Sequence, residues 1–124
     1  MNEQLVSDLK ELKTLLENPA RWTQGVNARN SNGNQVDARS TNATCFCLYG
    51  NAARVTFGTR KFVYGSTEHE RYGRVTSMLQ RAVPRQPGKL SLQQPIAAFN
   101  DSATHAAVMA VIDKAIELAP SYEG

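Results

Sequence analysis

Six consecutive residues, Asn100-Asp101-Ser102-Ala103-Thr104-His105, bring an amide, a carboxylate, two hydroxyls and an imidazole to the start of an apolar-faced segment, Ala106 to Leu118. Polar side chains at the opening of a buried helix must find hydrogen-bond partners, either in the protein or in a ligand. His105 lies three positions before Val108 and seven before Ile112, so it projects near the apolar face, where each ring nitrogen needs a partner. Asp101 is one helical turn earlier. With Trp22 and Asp37 alongside, Asn100, Asp101, Thr104 and His105 would line a cleft for a small polar or anionic ligand. In the scaffolding alternative, Asn100 or Asp101 caps the helix, Thr104 bonds locally, and His105 serves a buried carbonyl of the Asn/Gly-rich loop.

A catalytic use of the same turn needs His105 as general base, oriented by Asp101 or Asp37, as in a small hydrolase. No G-x-S-x-G elbow accompanies the Ser, His and Asp residues. Cys45 and Cys47 are one residue apart, too close for an ordinary disulfide, and an apolar run raises a thiol's pKa, the wrong direction for attack. C-x-C with isolated histidines at 69 and 105 lacks zinc-ligand spacing, so no metal is expected. P-loop and dinucleotide fingerprints are absent, and no cofactor is expected. Trp22, the one tryptophan, sits in a polar connection. It reads as a core lid with its N–H on a carbonyl, or as a stacking platform for a ring.

The net charge is only +3, but residues 54–89 hold eight cations against two carboxylates. Arg60, Lys61, Arg71, Arg74, Arg81 and Arg85 therefore form a candidate basic surface for phosphates, nucleic acid or an acidic partner. The alternative is an ordinary solvated face. With 41% apolar and 20% charged residues over 124 positions, the chain suits a single domain, 1–124, with its own core. No apolar run reaches the roughly 20 residues of a membrane span, and the start lacks a secretory pattern, so a cytoplasmic protein is expected.

These groups must be positioned by helices. Leu5, Leu9, Leu12, Leu15 and Leu16 mark an amphipathic helix closed by Asn18-Pro19; its stripe is core, or part of a seam in a homo-oligomer. Asn32-Gly33 between short, weakly apolar flanks predicts a β-hairpin near 26–37. Asn42 is a candidate cap for a helix from Ala43, in which Gly50 implies close backbone approach; the rival is a hairpin of Val55–Phe57 with Phe62–Tyr64. Thr67-Glu68-His69-Glu70 has the form of a capping box before Tyr72, Val75, Leu79 and Val83. A short helix follows Ser91, interrupted or started by Pro95, with Leu90, Leu92, Ile96 and Phe99 as its apolar positions. Val108, Val111, Ile112, Ala115 and Ile116 stripe the last helix, the expected core partner of the first.

The order of these motifs resembles a family of small bacterial and phage proteins of unknown function. The blocks are Trp22-Thr23-Gln24-Gly25, the Gly33/Asp37 loop, Cys47-Leu48-Tyr49-Gly50-Asn51-Ala52, and Phe99-Asn100-Asp101 with Thr104-His105. The resemblance covers about residues 5 to 118. Asn51 stands where that family usually has Ala, and Asp101 is closer to Thr104 than its pattern. It implies a mainly helical fold and a shared pocket, with no reaction attached.

The expected fold is thus mainly α, four to five helices with one small hairpin. The expected function is a non-enzymatic binding module for a small anionic ligand or a protein partner, in the manner of a phage or mobile-element accessory protein. A hydrolase built on His105 and a nucleic-acid-binding protein built on residues 54–89 are the alternatives.

Overall fold

A computed structural model describes residues 2–85 and 94–122. Among the described residues, five α-helices surround one core: α1 (Glu3–Leu16), α2 (Leu48–Phe57), α3 (Thr67–Ala82), α4 (Ile96–Ser102) and α5 (His105–Leu118). A two-stranded antiparallel sheet, β1 (Ala28–Arg29) and β2 (Cys45–Phe46), lies between α1 and α2 in the chain. The architecture is mainly α, as the periodicity predicts. No helix among the described residues is long and apolar enough to cross a membrane.

The leucine stripe explains the centre. Leu5, Leu9, Leu12 and Leu16 repeat at helical spacing and are all buried, so the stripe is core within one chain and not a seam between copies. α1 packs on α5, α2 and α3, and each buried leucine contributes about 2 kcal/mol. Lys13 and Asp113 pair across α1 and α5 at 2.8 Å, on the exposed flank. Asp8, also on α1, is 2% exposed and accepts two bonds from Arg71 of α3, at 2.7 and 3.1 Å. That carboxylate holds the Arg71 guanidinium above its ordinary pKa, chiefly through the hydrogen bonds.

Four local expectations are corrected. At 26–37 the chain does reverse, with Asn30 Oδ1 accepting from Asn32 and Asn34 and Gly33 at φ +83°. Arg29 and Gln35, however, form only an isolated bridge, and the sheet partner of Ala28–Arg29 is Cys45–Phe46. The reason is burial: Phe46 offers an apolar face to the core, whereas Asn34 and Gln35 are exposed. The helix expected from Ala43 therefore begins at Leu48, after β2. Its cap is Cys47, whose sulfur accepts from the Gly50 N–H at 3.3 Å, and not Asn42. The rival hairpin of Val55–Phe57 does not form, because those residues complete α2.

The third helix starts one residue earlier than the capping box implied. Gly65, at φ +82°, turns the chain so that Ser66 is the extended residue, and its hydroxyl accepts from His69 N–H. The short fourth helix starts after Pro95, which is its N-cap; Ser91, Leu90 and Leu92 lie outside the described residues. Gln80 of α3 fixes that start, donating to Gln94 O and accepting from Ile96 N–H. The close approach expected at Gly50 is present: a Cβ there would stand 1.9 Å from Asn27 O.

Candidate functional site

Two regions emerge from the groups singled out in the sequence. In the first, α4 delivers Asn100 to the junction of the Trp22 segment, the N-terminus of α2 and the start of α5. Asn100 is 1% exposed, and its amide serves four partners. The oxygen accepts from Trp22 Nε1 at 2.9 Å and from Leu48 N–H at 3.1 Å. The nitrogen donates to Thr23 O at 3.0 Å and to Asp101 Oδ1 at 3.3 Å. Gln24 clasps the same turn from outside, donating to the carbonyls of Asn100 and Ala103.

The remaining residues of the polar turn are similarly engaged. Asp101 accepts from Gly25 N–H at 2.8 Å, and Thr104 caps α5 by accepting from Ala107 N–H. His105 Nε2 donates to Leu16 O at 2.7 Å, so the imidazole serves the last carbonyl of α1 and not the Asn/Gly-rich loop. Its ring lies 5.9 Å from the Trp22 ring. Trp22, Asn100, Asp101 and His105 thus come together, but as a hub that locks segments. Asp101 does not orient His105: among the described residues its bonds go to Gly25 and Asn100. A small cavity of about 80 Å³ adjoins the hub, lined by Cys47, Asn100 and Asp101. Burial pushes the Cys47 thiol up, against the pull of the Gly50 and Tyr49 N–H groups.

Asp37 lies elsewhere. It stands on a second region, an open cleft of about 570 Å³ between loop 35–39 and the end of α2. The buried Phe57 ring is its floor, with Phe62 at 5.0 Å and Tyr72 at 6.2 Å between ring centroids. Burial raises the Tyr72 phenol, which keeps its proton at neutral pH. Asn27 and Gln35 also line the cleft. Beyond Asp37 and Arg39 the cleft continues into a shelf formed by Ser40, Thr59, Arg60 and Lys61.

The charge here is positive. Arg39 is paired in two places with Asp37, holding that carboxyl below its usual range, and Arg60 meets Glu68 at 3.4 Å. Arg54 has no carboxylate partner among the described residues. It donates to Ala38 O and Ser40 O, at 3.0 and 2.6 Å, and lies over the Phe46 ring, so it braces the loop from beneath. Lys61 also has no ion pair among the described residues. At the shelf, Arg39, Arg60 and Lys61 therefore stand against Asp37 and Glu68.

The loop that carries Phe62 is held, not loose. Gly58 and Gly65 both take positive φ, Arg60 N–H bonds Phe57 O, and Ser66 N–H bonds Val63 O. Gly65 N–H donates to His69 Nδ1, whose ring lies 5.3 Å from Phe62 and 4.6 Å from Tyr64. Phe62 is nonetheless 43% exposed, Val63 54% and Tyr64 84%. Three large apolar residues fixed in solvent beside cations are uncommon on a monomer surface that binds nothing.

The other members of the basic segment do not join this shelf as free charges. Arg71 is on Asp8, Arg74 meets Glu70 at 3.8 Å, and Arg81 lies over the Tyr122 ring; Arg85 is exposed beyond α3. Sequence reasoning missed Phe57, Phe62, Tyr72, Arg39 and Arg54. The available signal is Arg60-Lys61-Phe62-Val63-Tyr64 between two glycines, of which Arg60 and Lys61 enter the sequence reading as basic surface and Phe62–Tyr64 only as a strand of the rival hairpin. Among the described residues no cluster of three His, Cys, Asp or Glu could hold a metal ion.

No curated protein and no solved structure matches this chain. A family model does match, over residues 1–118, which include both regions. The chain accordingly belongs to DUF6197, a family of unknown function.

Proposed function

We propose that the protein is a non-enzymatic binding module for a small anionic ligand, and that the ligand sits in the Phe57–Phe62–Tyr72 cleft with its charge on the Arg39–Arg60–Lys61 shelf. The carrying observation is the join between the two: an aromatic slot of about 570 Å³ shares Asp37 and Arg39 with a shelf on which Lys61 has no ion pair among the described residues, beside the paired guanidiniums of Arg39 and Arg60. Clefts of some 300–1,000 Å³ suit drug-sized ligands, and apolar walls with few polar groups are their usual lining. A depression of equal volume beside Val6 and Pro120 presents no ring and one cation, Lys10, beside Glu3.

The Asn100 turn supports this reading from behind. Its side chains are each bonded to the protein, so it fixes the fold and leaves recognition to the cleft. Thermal melts against inorganic phosphate, sulfate, aryl carboxylates and nucleotides test the proposal. An anion that raises the melting temperature of the parent protein, and does so less in Lys61→Glu, is the expected result. A flat profile across every anion removes the proposal.

A further inference from the structure

Resting on the anion-module reading, we propose that the ligand is a free mononucleotide, with its base in the aromatic slot and its phosphate on the basic shelf. A nucleotide joins a planar ring having a hydrogen-bonding edge to a multivalent oxyanion, and the cleft offers a match to each part in the same order. Phe62 presents a partly exposed ring over the buried Phe57, a surface on which a base can stack. Among the lining residues, the Gln35 side chain and the Asn27 Nδ2 group have no protein partner among the described residues, while Asn27 Oδ1 accepts from the Cys47 thiol. Amides supply both donors and acceptors, as a base edge requires and a simple aryl ring does not. The shelf combines guanidinium, ammonium and hydroxyl donors, from Arg60, Lys61 and Thr59, which suits a phosphate with several oxygens better than a two-oxygen carboxylate. The size of the slot favours one nucleotide over a strand.

Calorimetric titration of the whole chain with AMP, UMP, adenosine, inorganic phosphate, benzoate and a single-stranded oligonucleotide decides the matter. The mononucleotides should bind about tenfold tighter than either adenosine or phosphate alone, the worth of one stacked base joined to its anchor. Phe62→Leu, which keeps the slot filled but removes the stacking face, should lose most of that gain while phosphate binding persists. Lys61→Glu should weaken the nucleotide and leave adenosine unchanged. If phosphate or benzoate binds and nucleotides bind no better, the nucleotide assignment is overturned and the anion module stands. Binding of the oligonucleotide without the mononucleotides overturns it in favour of nucleic acid. If nothing binds, both readings fall together.

Discussion

The Asn100 hub and the aromatic cleft both gather amides, a carboxylate and rings, yet use them in opposite ways. At the hub each polar side chain bonds the protein, and the buried amide alone links three segments, Trp22–Thr23, the start of α2 and its own α4. At the cleft, Gln35 is left facing water on loop 35–39, as are Lys61 and the exposed Phe62 ring on a second loop whose backbone is firmly held. Saturation signals structure, whereas unfilled bonding capacity on a rigid frame signals recognition. A polar motif in a sequence does not distinguish the two.

Substitutions should separate the regions by their effect on stability. The largest effect belongs to Gly50→Ala, because the added Cβ would collide with backbone at Asn27. A loss of more than about 4 kcal/mol in urea denaturation, or failure to fold, is expected. Next comes Asn100→Ala, which strands the Trp22 and Leu48 donors and opens a cavity, at a cost of about 3 kcal/mol. A cost below about 1 kcal/mol would mean the hub is not a lock, and the comparison would collapse.

Cys47 gives a pH-dependent check on the same side. Its thiol pKa is raised in the folded protein by burial, so the native state holds the proton more tightly than the unfolded chain. That stability is fully present below the ordinary thiol value of 9.0 and declines as pH rises above it. Denaturation midpoints should fall between pH 8 and about 10 in the parent protein, and fall less in Cys47→Ser, whose hydroxyl can still cap α2. An equal fall in both proteins would show that the thiol has no part in it.

The cleft should prove tolerant. Phe62→Ala should cost about 1 kcal/mol, since the ring is only partly buried, and Tyr64→Ser should stay within about 0.5 kcal/mol. Chemical denaturation measures both. A loss at Tyr64 as large as that at Asn100 would make the aromatic loop a structural element and erase the distinction between the regions.

Much of the helical scaffold was readable from spacing. The stripe of Leu5, Leu9, Leu12 and Leu16, and that of Val108, Val111, Ile112 and Ala115, each identify a buried face through contacts inside one helix. Gly50 likewise declared a close approach, because glycine in a helix is costly unless a neighbour needs the room. The Ala43–Phe46 run failed as a helix because Cys45–Phe46 pairs with Ala28–Arg29, 18 positions away for Phe46 with Ala28 and 16 for Cys45 with Arg29. Nothing local records that partnership.

The sequence by itself determined the helices, the core faces and the collection of polar groups at residues 100–105. Only the tertiary structure decided what those groups do. Asn100 meets Trp22 and Leu48 across 78 and 52 positions, and His105 meets Leu16 across 89. Helical periodicity reports interactions three or four residues apart, whereas satisfaction of a buried polar group depends on whichever distant backbone packing brings to it. For the same reason the cleft became visible only when loop 35–39 was seen to close against Phe57, Phe62 and Tyr72.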